Sequence, residues 1–213
     1  SMKRLQYTLS DHVTSISPAL YEVTKEHHQN CSMIPNPVNL KKFKPDLSAE
    51  ERRKLKKVLI VGSISYRKGT DIVLRTIIEI HKSDPDVEFI FVGPDDNLEL
   101  ICKREGINRS ILNSKKINFE GYHEDPSYYF RNCSLFFLPS RREGFGTVFI
   151  EAMAAGLPVV AKELKNITDF IFGNNYNTIL NTESYRVYTL AIMKILNDKS
   201  EYKKNIKLNN HRL

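Results

Sequence analysis

Several things the chain lacks narrow what it can be. No apolar run approaches the roughly 18 residues of a membrane-crossing helix, and no signal peptide is visible at its start. Internal repeats and low-complexity segments are absent, which sets repeat architectures aside. Cysteine is scarce: Cys31, Cys102 and Cys133 stand at spacings that fit neither a metal site nor an even-numbered disulfide framework. Thiols used so sparingly fit a reducing compartment, so the expected place is the cytoplasm or the cytoplasmic face of a membrane. Ser1-Met2 reads as an added start ahead of a chain that begins in mid-protein.

What is present suits one good domain with an appendage: 213 residues, 41% of them apolar, enough to bury a core. The net charge of +7 permits an acidic partner, whether nucleoside diphosphate, anionic membrane surface or nucleic acid, and does not choose among them. The one basic cluster, Arg52, Arg53, Lys54, Lys56 and Lys57, reads as a solvated helix end.

The most informative stretch runs from Ser134 to Ala161 and reads as strand, loop, helix, strand. Residues 135–138 are fully apolar, as a buried strand should be, and Pro139-Ser140 stop it. Gly144 and Gly146 allow backbone conformations closed to other residues. Residues 147–155 are rich in helix formers, Gly156 sits at the expected C-terminus with Pro158 beyond, and residues 157–161 form a second buried strand. A glycine loop feeding a helix start is a place for an anion, because the first amides lack partners and the dipole is positive there. Glu143 in the loop and Glu151 in the helix would repel a phosphate unless each had another task. Carboxylates accept hydrogen bonds from hydroxyl pairs, so the chemistry suggested is a nucleotide sugar, with its diphosphate on the amides and its hydroxyls on the glutamates.

Seven residues separate Glu143 from Glu151, within Pro-Ser-x-x-Glu-Gly-Phe-Gly-x-Val-x-x-Glu-Ala-Met-Ala-x-Gly-x-Pro-Val-Val-Ala. This stretch resembles, in register, the E-x7-E signature of retaining family 4 glycosyltransferases with the GT-B fold. Two bare glutamates at that spacing would carry no weight; the whole matching stretch does.

The rest of the chain agrees in order. Residues 12–17 and 31–35 read as strands around a helix at 18–28, in which the adjacent His27 and His28 point apart and read as a solvated pair. Ile34-Pro35-Asn36-Pro37-Val38-Asn39 and Phe43-Lys44-Pro45 resemble the family's interdomain crossover, with Pro37 in place of the usual glycine. From there strands at 57–62, 87–92, 116–120, 134–138, 157–161 and 177–180 alternate with helices at 48–56, 70–81, 97–105, 125–132, 147–155, 166–172 and 184–196. That alternation argues an α/β fold with a doubly wound, Rossmann-like parallel sheet, one half of a GT-B fold, preceded by a short N-terminal crossover segment. The domain division expected is 1–46 for the end of the acceptor side and the crossover, 47–200 for the donor-binding domain, and 201–213 for a polar tail, helical and frayed.

Further site residues follow from the resemblance. Lys68, in Lys68-Gly69 before a helix, resembles the lysine that contacts the donor diphosphate; Ser63 stands where the family often has an arginine, and Arg67 is the candidate to supply that charge. Gly62 and Gly93 end strands at the rim where such sheets bind ligands. Tyr122 resembles the residue that meets the nucleobase. Glu143 and Lys68 are the catalytic candidates. Glu143 would contact the donor sugar, Glu151 the ribose, and the backbone of Gly144, Phe145, Gly146 and Thr147 the phosphate and sugar. Lys165 and Asn166 replace a glycine pair near the donor sugar. No cofactor or metal is expected: Asp95 and Asp96 read as helix caps, and Asp84-Pro85-Asp86 precedes its strand and so lies on the wrong rim.

The implied activity is transfer of a sugar from a nucleotide diphosphate sugar to an acceptor hydroxyl with retention, in polysaccharide, glycolipid or other glycan synthesis. The implied partners are the donor, an acceptor glycan or lipid-linked glycan held by a preceding domain, and a membrane surface touched peripherally, with no role for nucleic acid. The fragment alone should be inactive. Two other classes stay open: another GT-B enzyme, such as a nucleotide-sugar epimerase or a phosphorylase, and a non-catalytic nucleotide-binding module.

Overall fold

The computed structural model describes residues 10–165, 167–173, 176 and 178–210. It opens with a small unit in which β1 (Val13–Ser15) and β2 (Cys31–Met33) pair in parallel, joined by α1 (Pro18–Lys25). Pro18 at the first position and Ser17, whose hydroxyl accepts from Leu20 N, start that helix. The helix stops three residues short of the 18–28 expected, because the His27 and His28 amides both turn back to Thr24 O. His28 is not simply solvated: its two ring nitrogens lie 2.9 Å from Asn30 O and 2.8 Å from Ser10 O.

The main body is one six-stranded sheet of β3 (Lys57–Val61), β4 (Glu88–Val92), β5 (Ile117–Gly121), β6 (Leu135–Leu138), β7 (Val159–Lys162) and β8 (Ile179–Leu180). The order is β5-β4-β3-β6-β7-β8, and every neighbouring pair is parallel. Strands covered on both faces read as continuous apolar runs. Accordingly all four residues of β6 are buried, as are the last four of β3 and of β4.

Two groups of helices cover the faces. In one, α3 (Thr70–Ser83) packs against α8 (Tyr185–Asn197) and α4 (Leu98–Glu105). In the other, α6 (Thr147–Ala154) packs against α5 (Ser127–Asn132) and α9 (Lys199–Asn210), and α9 against α2 (Ala49–Leu55). A short helix, α7 (Thr168–Phe172), follows β7. This is the doubly wound, Rossmann-like arrangement expected. Strand and helix ends differ by a residue or two from the sequence reading; of the 166–172 helix and the 177–180 strand, Asn166 and Asn177 lie outside the described residues.

Two expectations are corrected by packing. The basic cluster is not all solvent: Arg52 is 2% exposed and donates to Ala155 O (2.7 Å) and Gly156 O (3.0 Å) beyond the end of α6. Arg53 donates to Leu196 O in the last turn of α8 (2.9 Å). Both arginines satisfy carbonyls that a helix C-terminus leaves without partners. The polar tail is likewise no frayed appendage at its start. Tyr202 is buried with its hydroxyl donating to Ser134 O (2.8 Å), and Asn205 is buried with its amide donating to Glu201 O (2.9 Å). Only one face of α9 needs apolar residues, so its average composition concealed the anchors.

Candidate functional site

The chain leaves β3 toward β4 and β5, then returns to β6 on the other side and continues to β7 and β8. The crevice between the carboxyl ends of β3 and β6 is therefore the point where strand order reverses, the place where open α/β sheets bind ligands. The loops leaving those two strands carry the residues singled out in the sequence.

Those loops are laced together. Arg141 N donates to Arg67 O (2.9 Å), Arg141 Nη1 to Tyr66 O (2.7 Å), and Arg67 Nη1 to Arg142 O (3.1 Å). At the end of this lacing Lys68 Nζ lies 2.7 Å from Glu143 Oε1, across 75 residues of sequence. Ser140 Oγ donates to the same oxygen at 2.6 Å. The side chains are 13% and 7% exposed, so the charges are well shielded from water and each depends on the other.

The glycines play unequal parts. Gly62 and Gly93 permit close approach: a Cβ on Gly93 would fall 2.1 Å from Gly62 O, and one on Gly62 would lie 3.0 Å from Lys68 Cε. The lysine arm thus crosses the bare end of β3. Gly146, at φ +81°, begins α6 in a conformation that favours glycine. Gly144 departs from expectation. Its φ is not in the left-handed region, and a Cβ there would meet no atom within 4 Å. The backbone does not require glycine at this position; the glycine leaves open space beside the loop.

Phe145 is buried, with its ring near that of Phe170. Thr147 opens α6 and its hydroxyl accepts from Asn36 Nδ2 (3.3 Å), which joins the crossover segment to the helix start. Glu151, further along α6, is half-buried, and its side chain makes no hydrogen bond or ion pair among the described residues. Burial pushes its carboxyl above the ordinary 4.5, with the Lys42 charge opposing and the Asp125 charge reinforcing. Tyr122 stands apart after β5, 74% exposed.

One central residue escaped the sequence reading. Arg141 makes a two-pronged contact with the buried Asp71, 2.7 Å on each arm, and a further contact with Glu183 Oε2 at 3.0 Å. Its guanidinium stacks on the Tyr66 ring at 3.9 Å, and Arg104 covers the same ring at 4.5 Å. Its hydrogen bonds to Asp71, above all, hold its pKa above the ordinary arginine value. Glu183 in turn pairs with Lys162, and that bond, then Arg141, holds its carboxyl below the usual range. An acidic residue in the first turn of the helix after Lys68-Gly69, with two arginines just before Glu143, was the available signal.

One residue of each acidic pair has a structural partner. Asp95 Oδ1 accepts from Leu98 N at the start of α4 (2.9 Å), and Asp84 pairs with Lys56 (2.6 Å) at the opposite end of the strands. Among the described residues no group of three or more His, Cys, Asp or Glu is placed to hold a metal ion, and no helix is long and apolar enough to cross a membrane. Lys165 is exposed; Asn166 beside it lies outside the described residues.

A parallel sheet of this order, with charged side chains from two loops meeting at its switch point and a glycine loop at a helix start, defines a doubly wound, Rossmann-like α/β domain. Residues 43–212 match the family model described as glycosyl transferases group 1, and the chain belongs to that family. It is 33% identical over 166 residues to an uncharacterized glycosyltransferase of Haemophilus influenzae, covering 75% of this chain and 44% of the relative. It is 29% identical over 157 residues to the lipopolysaccharide core biosynthesis mannosyltransferase LpsB of Rhizobium meliloti, covering 69% and 44%. The chain thus spans less than half the length of these curated relatives. Among solved structures, Anabaena HepE in complex with UDP and glucose superposes with a TM-score of 0.76 at 20% identity, covering 98% of this chain and 61% of that one. The C-terminal domain of the group 1 glycosyl transferase LpcC from Francisella tularensis gives 0.64 at 21%, covering 81% and 94%. The fold is one half of a GT-B fold.

Proposed function

We propose that the chain is the donor-binding half of a retaining family 4 glycosyltransferase, with residues 47–200 holding a nucleotide diphosphate sugar and residues 1–46 ending the acceptor side. The observation that carries this reading is the shielded Lys68–Glu143 pair at the switch point, beside the open backbone of Gly144. Lys68, with Arg67 next to it, takes the diphosphate; the amides of Phe145 to Thr147 at the start of α6 take its remaining oxygens. Glu143 keeps its Ser140 hydrogen bond as Lys68 turns to phosphate, and accepts from donor-sugar hydroxyls. Glu151, half-buried and without a partner, accepts from the ribose. Charge developing on the leaving diphosphate is stabilised by the lysine and the amide dipoles, which are in place before the bond breaks. The reaction proposed needs no metal ion. The sugar goes to a hydroxyl of a glycan or lipid-linked glycan held by a preceding domain, at the cytoplasmic face of a membrane, and the fragment alone binds without turning over. The HepE complex and a related mannosyltransferase of Mycolicibacterium smegmatis described as GDP-mannose-dependent support trying UDP- and GDP-linked hexoses first.

Two variants test the assignment by failing differently. Lys68→Ala should weaken nucleoside diphosphates and leave nucleosides nearly unchanged, since a hydrogen bond to a charged group is worth about 1.5–3 kcal/mol. That loss should shrink as salt rises. Glu151→Ala should weaken nucleosides and diphosphates alike, because both carry the ribose. Calorimetry of each variant with both ligands, at low and high salt, decides it; equal losses in the same proportion would mean the roles are wrong.

A further inference from the structure

Outside the donor-contacting residues, the densest set of interactions on this rim converges on Arg141. It sits two residues before Glu143, in the loop after β6, yet all of its side-chain partners belong to other segments. Tyr66 O and the Tyr66 ring belong to the turn that ends at Lys68, Asp71 to the first turn of α3, and Glu183 to the segment before α8. Lys162, at the carboxyl end of β7, reaches the same Glu183. Asp71 is buried and would be an uncompensated charge without the guanidinium. Arginine suits this place because its planar fork meets a carboxylate with two parallel bonds while its face stacks on an aromatic ring.

We infer that Arg141 is the positioning residue of the site, a clamp that fixes the Tyr66–Lys68 turn against the Ser140–Glu143 loop and so holds Lys68 Nζ and Glu143 in register. Lys68 has a flexible four-carbon arm, and Glu143 lies on a different loop, where its carboxylate accepts from Ser140 Oγ. Their 2.7 Å contact requires the two loops to be held at fixed separation. Backbone bonding contributes through Arg141 N and Arg67 O, and the guanidinium completes the hold at Tyr66 O. Arg141 touches neither Lys68 Nζ nor Glu143; it acts through the backbone that carries them. What the pair does for a diphosphate rests on the function proposed above, whereas the clamp itself does not.

The test has an arm that needs no ligand. The coupling between Lys68 and Glu143 is measured by a double-mutant cycle on unfolding stability, with Lys68→Met, Glu143→Gln and the pair. The cycle is repeated in an Arg141→Met background. The clamp predicts that at least half of the coupling is lost in that background. Coupling unchanged while the unfolding temperature falls would overturn it, because Arg141 would then support the fold without positioning the pair. If Arg141→Met does not fold, Arg141→Lys replaces it: a point charge cannot satisfy Asp71, Tyr66 O and Glu183 together, so partial loss is expected and full retention overturns the inference. A second arm titrates the same variants with UDP and uridine. A tenfold or larger loss confined to UDP supports the clamp, and equal loss of both ligands contradicts it. Should the unmodified chain bind neither UDP nor GDP, the functional reading falls while the coupling cycle still decides the clamp.

Discussion

Glu151 brings the physical chemistry of this site down to one side chain. A carboxylate that is half out of water and lacks any partner is disfavoured in its charged form. Its pKa in the folded chain is raised by burial above the ordinary 4.5. Between the unfolded and folded values the folded state holds the extra proton, so stability falls as pH rises through that window and stays lower above it. Glu151→Gln should therefore raise the unfolding temperature at pH 7.5, with each kcal/mol regained appearing as roughly 2–4 °C. The gain should vanish as pH falls below the raised pKa, where the native carboxyl is already protonated. Thermal melts of both proteins from pH 4 to pH 8 check this; a Glu151→Gln protein less stable than its parent at pH 7.5 would mean the carboxylate has a partner. A stabilising loss of charge coupled to weaker nucleoside binding is what a residue kept for its ligand should display. The sequence placed Glu151 on the right helix through its spacing from Glu143, but burial without a partner is a tertiary property that spacing does not carry. The Lys68–Glu143 contact was also beyond it, since two residues 75 positions apart meet only because β3 and β6 are neighbours.

At the scale of elements, the apolar runs and glycine breaks were enough to order the strands and helices, because strands buried on both faces have little compositional freedom. What was not legible is how helix ends are closed. The α2 helix was read as solvated because it is basic, yet its Arg52 reaches into the core to satisfy the carbonyls of Ala155 and Gly156 just beyond α6. A capping arginine and a solvated one look alike in sequence; only the neighbouring helix tells them apart. Burial pushes the Arg52 guanidinium below its ordinary pKa, the sign of a charge kept out of water by the carbonyls it serves. Arg52→Met keeps much of the side-chain volume and removes the donors. It should cost about 3 kcal/mol, since one buried and one half-buried acceptor lose their partner, and lower the unfolding temperature by roughly 6–12 °C. Urea denaturation measures it. A change of less than about 0.5 kcal/mol, typical of a surface substitution, would return Arg52 to the solvated role first expected. The α9 helix makes the same point with Tyr202, whose hydroxyl reaches Ser134 O beside the start of β6. The helix that looked like a tail braces the strand that feeds the site.

Across the whole molecule, the sheet order, the switch point and the two laced loops converge on one crevice. Lys68 and Arg141 each meet carboxylates there, Lys68 with Glu143 and Arg141 with Asp71 and Glu183. The family match covers residues 43–212, and the chain spans 44% of the length of two of its curated relatives. Donor recognition is the step this chain is proposed to carry. The most direct measurement is calorimetric titration of the purified chain with UDP, GDP and their hexose conjugates, each paired with its nucleoside, in excess chelator and again with divalent metal. The account predicts that one of the diphosphates binds at least tenfold tighter than its nucleoside, a difference of about 1.4 kcal/mol, and that chelator leaves that affinity unchanged. Binding that appears only with metal, or a diphosphate no tighter than its nucleoside, would contradict the central claim that Lys68 and the amides at the start of α6 form the diphosphate site.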